Sequence, residues 1–426
     1  MNRKLFEYIE ASPSPYHAVE HSAELLRQAG FLPLSEGEDW RLAPGQGYYV
    51  TRNGSSLIAF RARRAFTGFM MTAAHSDSPT FKLKENPELT GSGCRRLAVE
   101  RYGGMIMSSW MDRPLGIAGR VLLRKSRGVE TRLLDLGGHC AVIPNVAIHM
   151  NRKVNDGYTW NPAVDLLPLW GSGEEKGFFR PTVAMALACR EEDILATDLA
   201  LYNPQEGVEW TGLLSAPRLD DLQCAFAALT AFLSAEESEA LPVYCLFDNE
   251  EVGSQTKQGA ASTFLKDTLV RLCEALGQGS EYRRKVAGSF LVSCDNAHAV
   301  HPNHPELSDP NHGVKLNGGV VIKYNAAQHY TSDGVSAALF QLICEEAGAP
   351  YQRFANRADM AGGSTLGNIA NTQVSLNTVD IGLAQLAMHS AWETAGAEDT
   401  AAMVRALTAF YGRALTLTGP GEYALV

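Results

Sequence analysis

The sequence predicts an α/β fold: a mostly parallel central sheet flanked by helices, with an inserted β-rich domain. Three observations predict it. Short, continuous apolar runs recur at Gly68–Ala74, Leu241–Phe247 and Ser289–Cys294, the pattern of strands buried on both faces. Helical periods at Asp221–Ala235, Asp333–Ala347 and Thr400–Tyr411 alternate with them, which implies a layered fold with parallel strands. From about Leu97 to Cys189 the texture changes to short β-like pieces among Gly, Pro and Asn turns, with no long amphipathic period.

In chain order, the first expected helix starts at Ser14. Pro15 suits its first turn, Tyr16, Val19, Ala23 and Leu26 share one face, and Gly30 caps its end. A strand is expected at Ser56–Ala62. Gly119–Leu123 and Arg132–Asp135 are the clearest strands of the β-rich region. Val320–Tyr324 and Val374–Val379 complete the expected central strands.

Composition narrows the function. The chain has 426 residues, too many for one ordinary core, with 45 % hydrophobic and 20 % charged residues. A net charge of -10 with no basic run argues against nucleic acid or an anionic membrane as partner. The N-terminal Met1–Glu10 has no apolar stretch behind its basic residues, so no signal peptide is expected, and no window is apolar enough for a membrane span. The eight cysteines form no C-x-x-C pair and several lie in apolar runs, the pattern of reduced core thiols in a cytoplasmic protein.

The chemistry gathers at strand ends. Phe69–Ala74 leads into His75-Ser-Asp77, Val243–Phe247 into Asp248-Asn-Glu250-Glu251, and Phe290–Cys294 into Asp295. Ligands of open α/β sheets bind at the carboxyl ends of strands, so three such ends point to one site. His75 and Asp77 read either as a polar turn or as a metal-bound imidazole whose other nitrogen Asp77 holds. Asp220-Asp221 reads as a helix N-cap or as a carboxylate bridging two cations. Adjacent Glu250 and Glu251 repel each other unless positive charge is near, which favours one metal ligand and one general base of raised pKa. His298 repeats the strand-end logic after Asp295; His389 alone is an ordinary structural histidine. A mixed set of imidazoles and carboxylates suits Zn²⁺, Mn²⁺ or Co²⁺, and a pair of such ions can activate water for hydrolysis.

The strings Ala74–Pro79, Tyr102–Gly104, Trp110–Gly116, Ile143–His149, Arg218–Asp221, Phe247–Ser254, Asp295–Asn303 and Leu386–Ser390 run in one order along nearly the whole chain. Together they resemble the aspartyl aminopeptidases, a family of two-metal peptidases. The resemblance implies a catalytic centre with two divalent ions, zinc first. It implies His75 and Asp295 on one ion, Glu251 and His389 on the other, and Asp220 between them. It makes Glu250 the general base and His298 the donor that polarises the scissile carbonyl; Asp77, read above as the partner of the His75 ring, completes the catalytic set. It makes His149 a histidine reaching a neighbouring subunit's site, and Lys323 the receiver of an acidic substrate side chain. It also implies self-association into a large homo-oligomer, such as a tetrahedral shell of twelve chains. With the composition shift, it assigns residues 91–213 to an inserted β-rich oligomerisation domain and 1–90 with 214–426 to the metallopeptidase catalytic domain. Two positions depart from the family pattern: His329 stands where an arginine is expected, and Gly362–Gly367 carries Ser364 where threonine is usual. Both bear on side-chain preference. The expected function is release of an N-terminal Asp or Glu from peptides; a broad or neutral-residue aminopeptidase and a two-metal deacylase are the alternatives.

Overall fold

The apolar runs of the sequence form the middle of the molecule in a computed structural model that describes residues 1–426. Strands Leu241–Phe247, Phe69–His75, Phe290–Cys294 and Asn377–Leu386 lie side by side in that order and run parallel. Helices cover both faces of this centre, which is why its strands are continuous in hydrophobicity instead of alternating. Every residue of Phe69–His75 is buried. Its side chains still alternate in direction: Met70 and Ala74 enter one core, while Phe69, Met71 and Ala73 enter the other.

Antiparallel strands widen the sheet on both sides. Ser56–Arg61 and then Gly47–Arg52 flank Leu241–Phe247. On the far side, Val320–Tyr324 and Glu393–Gly396 both pair with Asn377–Leu386. The strand expected at Val374–Val379 begins at Asn377 and continues to Leu386. Gly382 disguises its length. That glycine is not a turn: a Cβ there would run into the Asp295 carbonyl oxygen, so it marks a close approach of two backbones.

Leu219–Ser234 packs on the larger core with Asp399–Tyr411 and Gly334–Glu346, and Phe264–Ala275 covers the opposite face. The helix expected from Ser14 runs Pro15–Gln28; extended Ser14 accepts the His17 N–H and Pro15 supplies a preset first turn. Asp333 and Ser336 cap Gly334–Glu346 reciprocally. A helix not expected from the sequence, Asn2–Glu10, buries Leu5, Tyr8 and Ile9. All eight cysteines are unpaired, and five are buried. No helix is long and apolar enough to cross a membrane.

A second, wholly antiparallel sheet of six strands has its own core. Its order is Gly128–Asp135, Gly116–Lys125, Ile194–Tyr202, Thr80–Gly91, Cys94–Tyr102, Leu169–Ser172. It therefore takes its first strand at Thr80, inside the stretch 1–90 grouped with the catalytic part from the sequence. The irregular register between Leu83 and Glu88, around Pro87, hides that strand in the sequence.

Phe232 illustrates how the larger core is closed. Its ring lies 5.5 Å from Phe31, 6.1 Å from Tyr244 and 5.6 Å from Tyr411, centroid to centroid. Phe232→Ala is expected to lower unfolding free energy by about 3–5 kcal/mol. Urea denaturation followed by circular dichroism checks this; a loss under about 1 kcal/mol would contradict the packing described.

Candidate metal centre

Strand register brings the site together. Phe247 lies beside His75, and Ser293 beside Ala73, so Asp248–Glu251, His75 and Asp295 leave one edge of the sheet as neighbours. Asp220 comes from the irregular start of Leu219–Ser234, where Arg218 is left-handed and Asp220 and Asp221 are not yet helical. His389 follows Asn377–Leu386, also with a left-handed backbone.

Ligand-type atoms of His75, Asp220, Asp221 and Asp295 lie within 4.8 Å of one another, as do those of Asp220, Glu251 and His389, and those of His75, Glu250 and Glu251. The five residues expected as ligands thus fall into two groups that share Asp220. Its Oδ1 is 3.5 Å from His75 Nε2 and its Oδ2 is 3.2 Å from His389 Nε2. His389 Nε2 is also 3.3 Å from Glu251 Oε2.

Asp77 holds this array from behind, through both its backbone and its side chain. The His75 ring Nδ1 meets the Asp77 backbone carbonyl at 3.0 Å, closer than the carboxylate at 3.4 Å. The carboxylate is occupied elsewhere: it accepts the backbone N–H groups of Glu250 and Glu251 at 3.1 and 3.2 Å and the Tyr102 hydroxyl at 2.7 Å. It orients the two glutamates directly, and its own carbonyl orients His75.

The electrostatics call for positive charge. Burial pushes the carboxyls of Glu251 and Asp221 well above their usual range and that of Glu250 up to about 8. Burial also raises Asp295, against the pull of Lys323. For Asp220 burial is outweighed by His389 and His75, which hold it below the usual carboxylate range. Three buried oxygens, Asp220 Oδ1, Asp221 Oδ1 and Glu251 Oε1, have no hydrogen-bond partner. Unpaired buried carboxylate oxygens are costly unless a cation meets them. The donor set, imidazole nitrogen with carboxylate oxygen, fits a zinc-type divalent ion.

The remaining expected residues are placed differently. His298 reaches solvent, yet the surrounding protein and the Lys323 ammonium hold its pKa below the usual imidazole value. Lys323 is 2 % exposed, so it is no surface lysine of an edge strand. Val320–Tyr324 has a neighbour on each side, and the ammonium lies 3.6 Å from Asp295 Oδ1. His149 sits on an exposed loop and makes no hydrogen bond or ion pair with the cluster.

Glu393 and Tyr102 were given no role from sequence, and Asp221 only as one of the pair Asp220-Asp221. Asp221 joins the cluster beside Asp220, and its Oδ2 accepts the His75 N–H at 3.1 Å. Glu393 is buried and accepts the backbone N–H groups of Asp220 at 3.1 Å and His389 at 2.7 Å, fixing both. Tyr102, at the end of a strand of the second sheet, reaches Asp77 and accepts an N–H of Asn249 at 2.8 Å. A lone carboxylate in Ser390-Ala-Trp-Glu-Thr-Ala395 was the available signal for Glu393.

Known proteins resemble this chain over nearly its whole length. The model of the aminopeptidase I zinc metalloproteases (M18) matches residues 8–411. A Clostridium acetobutylicum protein named a probable M18 family aminopeptidase 2 is 43 % identical over 423 residues, covering 96 % of this chain and 98 % of its own. Among solved structures, a chain in the cryo-EM structure of the Ape4 and Nbr1 complex has a TM-score of 0.92 at 33 % identity, covering 96 % of this chain and 85 % of its own. The S. cerevisiae mApe1 dodecamer has a TM-score of 0.83 at 28 % identity, covering 96 % of this chain and 95 % of its own.

The crowded centre makes stability depend on metal and pH. Folded Glu250 and Glu393 bind protons more tightly than unfolded glutamate, with pKa values raised from 4.5 to about 8 by burial. His389 is raised from 6.5 to about 9, burial being outweighed by Asp220. All three contributions favour the folded state at low pH and fade as pH rises. Metal-stripped protein is therefore expected to lose stability from about pH 5 to about pH 9, and added zinc to restore it most at the upper end. Calorimetry across this range, with and without zinc, checks it; a stripped protein whose melting temperature rises with pH would refute it.

Proposed function

This chain belongs to the M18 family of zinc aminopeptidases, and on that premise we propose that it removes N-terminal Asp or Glu residues from peptides at a centre of two divalent ions. His75 and Asp295 would hold one ion, Glu251 and His389 the other, and Asp220 both. The observation that carries this reading is the set of unpartnered buried oxygens on Asp220, Asp221 and Glu251, gathered beside Glu250. Zinc fits the set, as do manganese and cobalt.

When bound, such ions supply the positive charge that polarises a peptide carbonyl and acidifies a water. The chain's own groups do the rest. Glu250, with a pKa near 8, is suited to accept a proton from water at its carboxylate and to return it to the leaving amine. Asp77 fixes that carboxylate through the Glu250 backbone. His298 is held neutral at physiological pH and can donate an N–H toward the developing oxyanion. Lys323 supports the acidic preference: its ammonium is almost buried and donates no hydrogen bond, its neighbours being Asp295 at 3.6 Å and the Tyr330 ring at 5.3 Å. A substrate carboxylate would meet those unused donors.

A large homo-oligomer is part of the proposal. The exposed Val146, Ile148 and Met150 flank His149 on one loop, as a subunit contact would require, and a similar protein is described as a dodecamer. The eight unpaired thiols support a cytoplasmic setting.

Glu250→Gln is expected to retain zinc and lose turnover by about 100-fold or more. Metal analysis beside kcat measurements tests this; a zinc-loaded variant with near-full activity would exclude Glu250 as the base. For specificity, kcat/KM on Asp, Glu and Leu substrates is compared in the wild type and in Lys323→Met. The expected Asp-over-Leu preference falls by about 100- to 1000-fold in the variant, the size of one lost buried ion pair. A wild type preferring Leu, or an unchanged ratio, would leave a neutral or broad aminopeptidase.

A further inference from the structure

We propose that Asp380 is the positioning residue of the pocket for the substrate's first side chain, its one carboxylate tying the loop that follows the Lys323 strand, at Thr331, to the segment that ends at Thr365. This rests on placing Lys323 in that pocket, but not on the pocket's preference for acid.

Asp380 is fully buried on Asn377–Leu386. Its neighbour Ile381 lies beside Ile322, so Asp380 is one strand away from the segment that carries Lys323. The Thr331 backbone N–H donates to Oδ2 at 2.5 Å, and the Thr365 hydroxyl donates to Oδ1 at 2.8 Å. The Asp380 N–H donates to Ser332 Oγ at 2.9 Å. Thr331 directly follows Tyr330, whose ring faces the Lys323 ammonium at 5.3 Å. Thr365 ends the Gly362–Thr365 segment and starts helix Leu366–Ala370.

Apart from this carboxylate, the ties between the loops are weaker. The Ser364 hydroxyl reaches the His329 carbonyl at 3.5 Å, and Asn371 Nδ2 donates to the Thr331 hydroxyl at 3.3 Å. Neither bond carries a formal charge, whereas those to Asp380 do and are stronger. The two positions that depart from the family pattern, His329 and Ser364, thus lie on the two loops hung from Asp380. The fit around it is tight: a Cβ at Gly367 would stand 2.7 Å from Asp380 Oδ1. Pocket walls on loops must be held this firmly to discriminate side chains, because loops otherwise move.

An amide in place of Asp380 offers one acceptor oxygen instead of two, so either Thr331 or Thr365 loses its acceptor. Removing the Thr365 hydroxyl releases one loop and leaves Asp380 itself intact. The experiment measures kcat and KM separately on substrates with N-terminal Asp, Glu, Leu and Ala, together with zinc content and melting temperature, for Asp380→Asn, Thr365→Val and Thr365→Ser. Expected is a rise in KM of about tenfold for the preferred side chain in Asp380→Asn and Thr365→Val, the effect of one lost charge-assisted bond. The expected KM rise is much smaller for Ala substrates, zinc is retained, and Thr365→Ser behaves as wild type. If the substrate profile is unchanged in both Asp380→Asn and Thr365→Val, or if kcat falls equally for every substrate, the inference is overturned. Should Asp380→Asn fail to fold, the Thr365 pair decides alone. Loss of acid preference in Lys323→Met with an intact profile in the Asp380 and Thr365 variants overturns this inference and leaves the acidic pocket standing. A wild type that prefers Leu, with that preference weakened by the same variants, does the reverse.

Discussion

The constraint on which the rest of this structure depends is the burial of negative charge around Asp220. Asp220, Asp221, Glu251 and Asp295 converge from separate parts of the chain, with Glu250 alongside. Two like charges about 4 Å apart repel by about 4 kcal/mol at the effective dielectric of a protein. A few such pairs equal the whole net stability of a typical domain, about 5–15 kcal/mol. The cluster is therefore tenable only with protons or cations in its midst, and two histidines supply too little charge. The same demand explains why the fold spends its most rigid elements here, since three fully buried parallel strands end at this edge.

Around that core of charge, backbone groups do much of the orienting. Glu393 takes the N–H groups of both Asp220 and His389, and Asp77 takes those of Glu250 and Glu251. One buried carboxylate thus sets each side of the centre. The second sheet takes part as well. Tyr102 bonds to Asp77, the Ile106 N–H reaches the His389 carbonyl at 3.0 Å, and the Ala391 N–H reaches Ser109 Oγ at 2.9 Å. Segment 102–109 therefore touches the supports of both glutamates and of His389. The β-rich part is structurally continuous with the centre, so its packing and the geometry of the centre are coupled.

Most groups at the cluster were legible in sequence because they stand at the end or start of an element with a strong local signature. His75, Glu250, Glu251 and Asp295 end apolar strands, and Asp220 begins a helix; His389 was read only through the family pattern. The supporting residues were not legible for the complementary reason. Glu393 takes two backbone N–H groups, and Asp380 one backbone N–H and one hydroxyl, all brought near only by folding, and no spacing along the chain encodes that. Tyr102 lay inside a matched string, but its bond to Asp77 exists only because two sheets meet there. Lys323 was ambiguous until the pairing of Val320–Tyr324 on both sides ruled out an edge. The start of the second sheet at Thr80 was obscured by an irregular register near Pro87, and the length of Asn377–Leu386 by a glycine that serves close packing.

Charge also separates recognition from long-range attraction in the proposed pocket. The chain carries a net charge of -10, which opposes the approach of acidic peptides. At physiological ionic strength that field is screened over about 8 Å. Within the pocket the nearest charges are those of Lys323 and the groups it faces, and they act through protein, where screening is weak. Burial pushes the Lys323 pKa down, but Asp295, Tyr330 and Asp380 outweigh it and hold it above the usual lysine value. A positive ion at Asp295 would compete for that carboxylate, leaving more of the lysine's charge for a substrate. Filling the centre and receiving an acidic side chain would then reinforce each other: the proposed metal site and the proposed side-chain pocket would share one carboxylate, and the protein would not need to be cationic overall to select an anionic residue.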